Sequence, residues 1–222
     1  MFLKVIHNIY IFGVTIACFG AYLWMYLIDY LAKDLLFFFT FWNQAIITLY
    51  FTIASYNKIQ SFQSKKTISL STFYSIAFST SIFTVASFWF LYFQNPQLVV
   101  VDDYETRIPM ILNHILHSFP IFYLFFELLF FPNYLRKKSL LKFDLISILL
   151  ISSSYGSLSV LSKFWNLPTY PFVKALPFPY LIITASSGSF AGVIFVLFSR
   201  LILNMSSRLF LKMRNISDKK VD

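Results

Sequence analysis

Two polar clusters interrupt apolar runs of this 222-residue chain. The first is Thr40, Asn43 and Gln44. Their i, i+3, i+4 spacing puts them on one face of a helix. The second is Asn113, His114 and His117, with Asn113 and His117 four apart and His114 a little further round the same side. A hydroxyl beside an imidazole is a pairing for nucleophilic catalysis. A threonine hydroxyl is weak alone and needs a base to take its proton as it attacks. A neutral histidine suits that task near pH 7. Asn43, Gln44 or Asn113 are candidates to orient the ring or to stabilise an oxyanion. The same residue types also serve simply as hydrogen-bond partners between membrane helices. Spacing alone does not decide between the two.

The elements that must position these residues follow from composition. Hydrophobic residues make up 58% of the chain and aromatic residues 21%, with 29 Phe, while only 12% are charged. A soluble domain is nearer half apolar and a quarter charged. That argues against a soluble enzyme, a disordered chain or a nucleic-acid module. The net charge of +9 sits in short clusters between apolar runs, the pattern of a membrane protein. The lone Cys18 leaves no intrachain disulfide and no cysteine-based metal cage.

A membrane helix needs about 20 mostly apolar residues. Six runs qualify: about 8–30, 35–57, 70–93, 109–131, 143–165 and 178–204, followed by a basic tail over 205–222. The first is read as a span rather than a signal peptide, because it is too long for an h-region and no small-residue cleavage site follows. The expected fold is an all-α membrane protein, a single six-transmembrane-helix bundle. Lys and Arg number fourteen on the side of the termini and four on the other. The positive-inside rule then puts both termini in the cytosol. Asn204 and Asn215, which match the acceptor pattern for sugar, would escape glycosylation there. Gly188 and Gly192 form a small-xxx-small pair of the kind that packs helices.

Depth can be gauged from the rise per residue. Thr40 lies roughly 8 Å into the second run and His117 roughly 12 Å into the fourth, both from the outward side. They can therefore meet if the two helices are neighbours. Other polar groups read as less informative. His114 and His117 lack a third metal ligand, and no metal or cofactor is expected. Asp102, Asp103 and Glu105 read as a solvated acidic turn. Glu127 is roughly 15 Å below His117, too far to orient it. It is expected to bond neighbouring polar groups or the basic run near Arg136. Asp29 and Asp144 are expected to cap or snorkel at span ends.

At the two clusters the chain resembles the androgen-induced and androgen-dependent TFPI-regulating membrane proteins, the FAR-17a-like family. The matching pieces are Leu36-Phe37-Phe38-Phe39-Thr40-Phe41-Trp42-Asn43, then Leu112-Asn113-His114-Ile115-Leu116-His117 followed by Pro120, then Trp165 with Tyr170-Pro171-Phe172. The resemblance implies a multipass hydrolase that cleaves fatty acid esters of hydroxy fatty acids. By motif position it makes Thr40 the nucleophile and His117 the base, with His114 not catalytic. The family often has Gly where this chain has Ile115, which leaves the substrate less certain than the pair.

The implied partners are membrane lipids and lipid esters, with no nucleic acid. Lys219 and Lys220 resemble the dilysine signal that returns membrane proteins to the endoplasmic reticulum through coat proteins, and the plasma membrane is the alternative location. Two other functions stay open on the sequence. One is a non-enzymatic scaffold or lipid-binding bundle. The other is an acyltransferase using the same pair with a lipid alcohol in place of water.

Overall fold

Serine and threonine, rather than leucine, fill the most enclosed helix of this protein. A computed structural model describes residues 2–27, 35–63, 68–100, 109–130 and 140–218. Among these, eight α-helices follow one another: α1 (Phe2–Leu27), α2 (Phe39–Phe62), α3 (Ser71–Gln94), α4 (Met110–His117), α5 (Phe119–Phe130), α6 (Leu141–Phe164), α7 (Pro171–Ala175) and α8 (Phe178–Asp218). Single 3₁₀ turns lie at Leu35–Phe37 and Pro96–Leu98. No strand occurs among the described residues. The chain is all-α, as expected.

Helix α3 is the hub and packs on α2, α4, α5, α6 and α8. Its buried residues include Ser75, Ser79, Thr80, Ser81 and Thr84. Ser79, Ser81 and Thr84 donate to the carbonyl four residues back, at 2.6, 2.6 and 2.8 Å. Their polar groups are thereby satisfied, and their small size lets neighbouring helices approach where no hydrophobic effect drives association. The apolar core lies between α1, α2, α3 and α5, around Ile11, Tyr50, Phe51, Tyr74, Phe78 and Leu124. Large apolar residues face outward on the same helices, among them Ile16, Phe93, Phe122, Leu150, Phe190 and Leu201. Polar groups inside and apolar groups outside is the arrangement that suits lipid.

Among the described residues, four helices are long and apolar enough to cross a bilayer: Val5–Met25, Ser71–Gln94, Leu141–Phe164 and Phe178–Ser206. A fifth is the pair Met110–His117 and Phe119–Leu129, bent by 52° at its junction. Four of the six expected spans, or five with the bent pair, are matched among the described residues by length and composition. Helix α2 has the length, at 24 residues, but Thr40, Asn43, Gln44, Thr48, Thr52, Ser55 and Asn57 dilute its apolar character. The expected continuous fourth helix is broken because Pro120 carries no N–H and its ring clashes with the carbonyl four residues earlier. The last helix also runs on to Asp218, through most of the expected tail, since no Gly or Pro interrupts it after Gly192.

The loop after α6 is set by local chemistry. Asn166 adopts the left-handed conformation, with φ of 50°. Leu167 N–H donates to Ser162 O at 2.8 Å, and Asn166 N–H to Lys163 O at 3.4 Å. These two bonds form a Schellman closure, with Pro168 just beyond it. Lys163 Nζ then donates to Lys174 O at 2.9 Å and to Leu176 O, tying α7 back onto α6. The outcome is a fixed loop that carries Tyr170 over the N-terminal end of α2.

Candidate active site

Thr40 stands in the first turn of α2, and the chain entering that turn is pinned on several sides. Phe38 is extended, and no side chain caps the helix. Trp42 Nε1 donates to Leu36 O at 2.8 Å, Tyr155 Oη to Phe37 O at 3.1 Å, and Tyr22 Oη to Phe41 O at 2.9 Å. On the other wall, α4 starts at Pro109 and stops at Ser118, before the Pro120 break. Trp89 Nε1 reaches the carbonyl of His117 at 2.9 Å and Ser118 Oγ at 3.1 Å. The proline break thus leaves His117 at the end of a helix whose last carbonyl is held by α3.

The two sequence clusters meet here. Thr40 Oγ1 is 3.1 Å from His117 Nε2, across 77 positions of the chain. Both residues are only 4% exposed. His117 Nδ1 lies 2.7 Å from Asn113 Oδ1 and 3.1 Å from the Asn113 backbone carbonyl. A backbone carbonyl only accepts, so Nδ1 must carry the proton. The Nε2 lone pair then faces Thr40, which donates its hydroxyl hydrogen to it. Phe88 stacks on the imidazole at 3.6 Å between centroids, with planes 14° apart, and fixes its plane. Hydroxyl, imidazole and amide stand in line, the geometry found in Cys-His-Asn sites with a hydroxyl in place of the thiol.

Tyr170 completes the cluster. Its hydroxyl is 2.9 Å from Thr40 Oγ1 and 3.4 Å from Thr40 N. With the Thr40 proton given to His117, the phenol is the donor to Oγ1. Burial pushes this phenol above its ordinary range, and its contacts with Thr40 pull partly the other way, so it is protonated at neutral pH. Tyr170 and Phe88 do not figure among the candidates of the sequence reading. Tyr170 stood there only inside a motif of the resemblance. Neither carries a spacing signal, because one sits in a loop and the other on a third helix.

The remaining candidates lie elsewhere. Asn43 Oδ1 accepts from Ser81 Oγ at 3.2 Å, and its buried Nδ2 has no partner among the described residues. Gln44 Nε2 is likewise buried without a partner. Neither bonds His117, so of the three proposed orienting groups only Asn113 does that. His114 Nδ1 pairs with Ser118 Oγ at 3.0 Å, away from Thr40. No group of three His, Cys, Asp or Glu among the described residues is placed to hold a metal ion. Glu127 Oε2 accepts from Tyr50 at 2.7 Å, and its Oε1 lies 3.8 Å from His7 Nε2. Asp144 neither caps nor snorkels. It is fully buried and takes Arg200 Nε at 2.8 Å, because α6 and α8 pack along their length. Asp29, Asp102, Asp103, Glu105, Arg136, Lys219 and Lys220 lie outside the described residues.

Thr40 also opens onto a cavity. Its empty volume is about 960 Å³ including the open mouth, and its walls come mainly from α3, α6 and α8. Thr40 lines it and His117 does not. A family model described as FAR-17a/AIG1-like protein matches residues 8–205 of the chain. No curated protein and no solved structure matches it.

Proposed function

The chain belongs to the FAR-17a/AIG1-like family, and from that premise we propose that it is an intramembrane hydrolase of lipid esters, with Thr40 as nucleophile and His117 as base. The observation that carries this reading is the 3.1 Å contact from Thr40 Oγ1 to His117 Nε2, made while Asn113 holds the other ring nitrogen. The substrate class follows the resemblance: fatty acid esters of hydroxy fatty acids, delivered sideways from the bilayer.

The steps balance on these residues. His117 Nε2 takes the Thr40 proton as Oγ1 bonds to the ester carbonyl carbon. Tyr170 Oη–H and Thr40 N–H are the nearest donors for the resulting oxyanion. The carbon–oxygen bond to the alcohol breaks, and that oxygen takes the proton from His117. Water then attacks the acyl-threonine and passes its proton to His117. The acid leaves and Thr40 recovers its hydrogen. No metal or cofactor enters these steps.

A lipid acyltransferase is the second reading, with a lipid alcohol in place of water as the acceptor. Transfer and hydrolysis then share the acyl-threonine and differ in what relieves it. In the membrane arrangement that goes with this reading, α2 and the bent α4–α5 pair complete six crossings, both termini face the cytosol, and the protein resides in the endoplasmic reticulum.

The test is turnover of a panel of lipid esters by purified native protein beside Thr40→Ala and His117→Ala. Both variants are expected to insert normally and to lose turnover. A fluorophosphonate probe is expected to label Thr40. Full activity in Thr40→Ala would remove the proposal. Added lipid alcohols, with product analysis, separate transfer from hydrolysis.

A further inference from the structure

The cavity beside Thr40 has walls rich in hydroxyls and yet is chemically apolar. Ser79, Thr84, Ser87, Ser152, Ser159 and Thr184 all line it. Every one of these hydroxyls donates to the carbonyl four residues earlier in its own helix, at 2.5–3.0 Å. Their hydrogens are therefore spent within the helices, and methylene and methyl groups are what a ligand meets. Such a surface suits hydrocarbon and offers little to a polar headgroup.

Its length fits one kind of ligand. Along α8 the lining runs from Leu181 to Gly192. At about 1.5 Å per residue that stretch is roughly 16 Å long. One leaflet of a bilayer, the reach of one extended lipid tail, is about 15 Å, half of the hydrocarbon core.

Two glycines on this wall behave differently. A Cβ on Gly192 would stand 3.0 Å from Ile148 Cγ1, so that glycine allows close contact of α8 with α6. A Cβ on Gly188 would stand 3.6 Å from Phe83 Cζ, in ordinary contact. Gly188 and Phe83 both line the cavity and lie next to each other on its wall, with Gly192 and Ile148 further along α8 and α6. An alanine fits at Gly188; any longer side chain must occupy the lumen.

We infer that this cavity is the sleeve for one unbranched acyl chain of the ester, with its carbonyl at Thr40, and that the stretch of wall at Gly188 and Phe83 sets how long a chain is accepted. The inference rests on the hydrolase reading for its catalytic test and on binding alone for the other.

For turnover, Gly188→Leu is expected to lose about tenfold or more on long-chain esters, while short-chain esters keep near-native rates. Phe83→Ala, which removes atoms and cannot overpack, is expected to extend the accepted chain length. For binding, a long-chain fatty acid with a diazirine near its tail is crosslinked to the native protein in vesicles. Labelled peptides are expected from α3, α6 and α8, and Gly188→Leu is expected to abolish them. An unchanged chain-length profile in both Gly188→Leu and Phe83→Ala would overturn the inference, as would labelling outside those helices. If the native protein turns over no ester, the hydrolase reading fails, and the crosslink alone decides the sleeve.

Discussion

His117 has no choice of tautomer. The Asn113 backbone carbonyl accepts from Nδ1, so the ring presents its lone pair to Thr40 whichever way the Asn113 amide is turned. Removing the amide therefore leaves the tautomer in place. Asn113→Ala is expected to lower kcat only about tenfold, against about 10²–10⁴-fold for His117→Ala, the usual worth of a general base. Tyr170→Phe keeps the ring against Phe38, at 5.0 Å between centroids, and deletes only the donor. It is expected to lower kcat by roughly 10²-fold with KM unchanged, the pattern of a group that acts in the transition state. Steady-state kinetics on one ester separates the three. At this scale the sequence marked Thr40, Asn113 and His117 through spacing. It gave no reason to single out Tyr170 or Phe88, and it grouped Asn43 and Gln44 with the wrong neighbours. Helical spacing says which residues share a face, not which helix that face meets.

Two element ends hold the site together. The break at Pro120 ends α4 directly after His117, and the Schellman closure at Asn166 aims the loop that brings in Tyr170. Asn166 tolerates its positive φ better than most residues, and glycine tolerates it best. Asn166→Gly is expected to retain both stability and turnover. Asn166→Val is expected to cost about 1–2 kcal/mol and to lower activity through displacement of Tyr170. Thermal unfolding in detergent, run beside the ester assay, checks both halves. Helix positions were legible from apolar runs, because each such run must satisfy its backbone internally in lipid. Pro120 marks the break in the fourth run, but the apolar residues on both sides of it make one continuous span in the sequence. The second run has the length of a span and also carries the polar face that faces the site.

For the whole molecule, the polar pairs far from Thr40 hold distant helices together. Lys58 Nζ donates to His7 Nδ1 at 2.7 Å, joining α2 to α1 beside Glu127 of α5. Asp144 and Arg200 join α6 to α8. Loss of one partner leaves a buried charge, so Arg200→Ala is expected to destabilise by about 3 kcal/mol, and Asp144→Leu combined with Arg200→Leu to recover most of it. Thermal unfolding of the single and double variants reads this directly. Changing Lys219 and Lys220 to serine is expected to release the protein from the endoplasmic reticulum, followed by microscopy. By itself the sequence determined the all-helical, lipid-facing character and the family, since transfer of side chains into hydrocarbon is close to a sum over residues and short motifs are local. Only the tertiary structure decided that Thr40, His117 and Tyr170 converge, that Asp144 is paired rather than snorkelling, and that Thr40 lines a long cavity. Those depend on which helix faces pack together, and packing is a property of pairs of distant residues that no single stretch encodes.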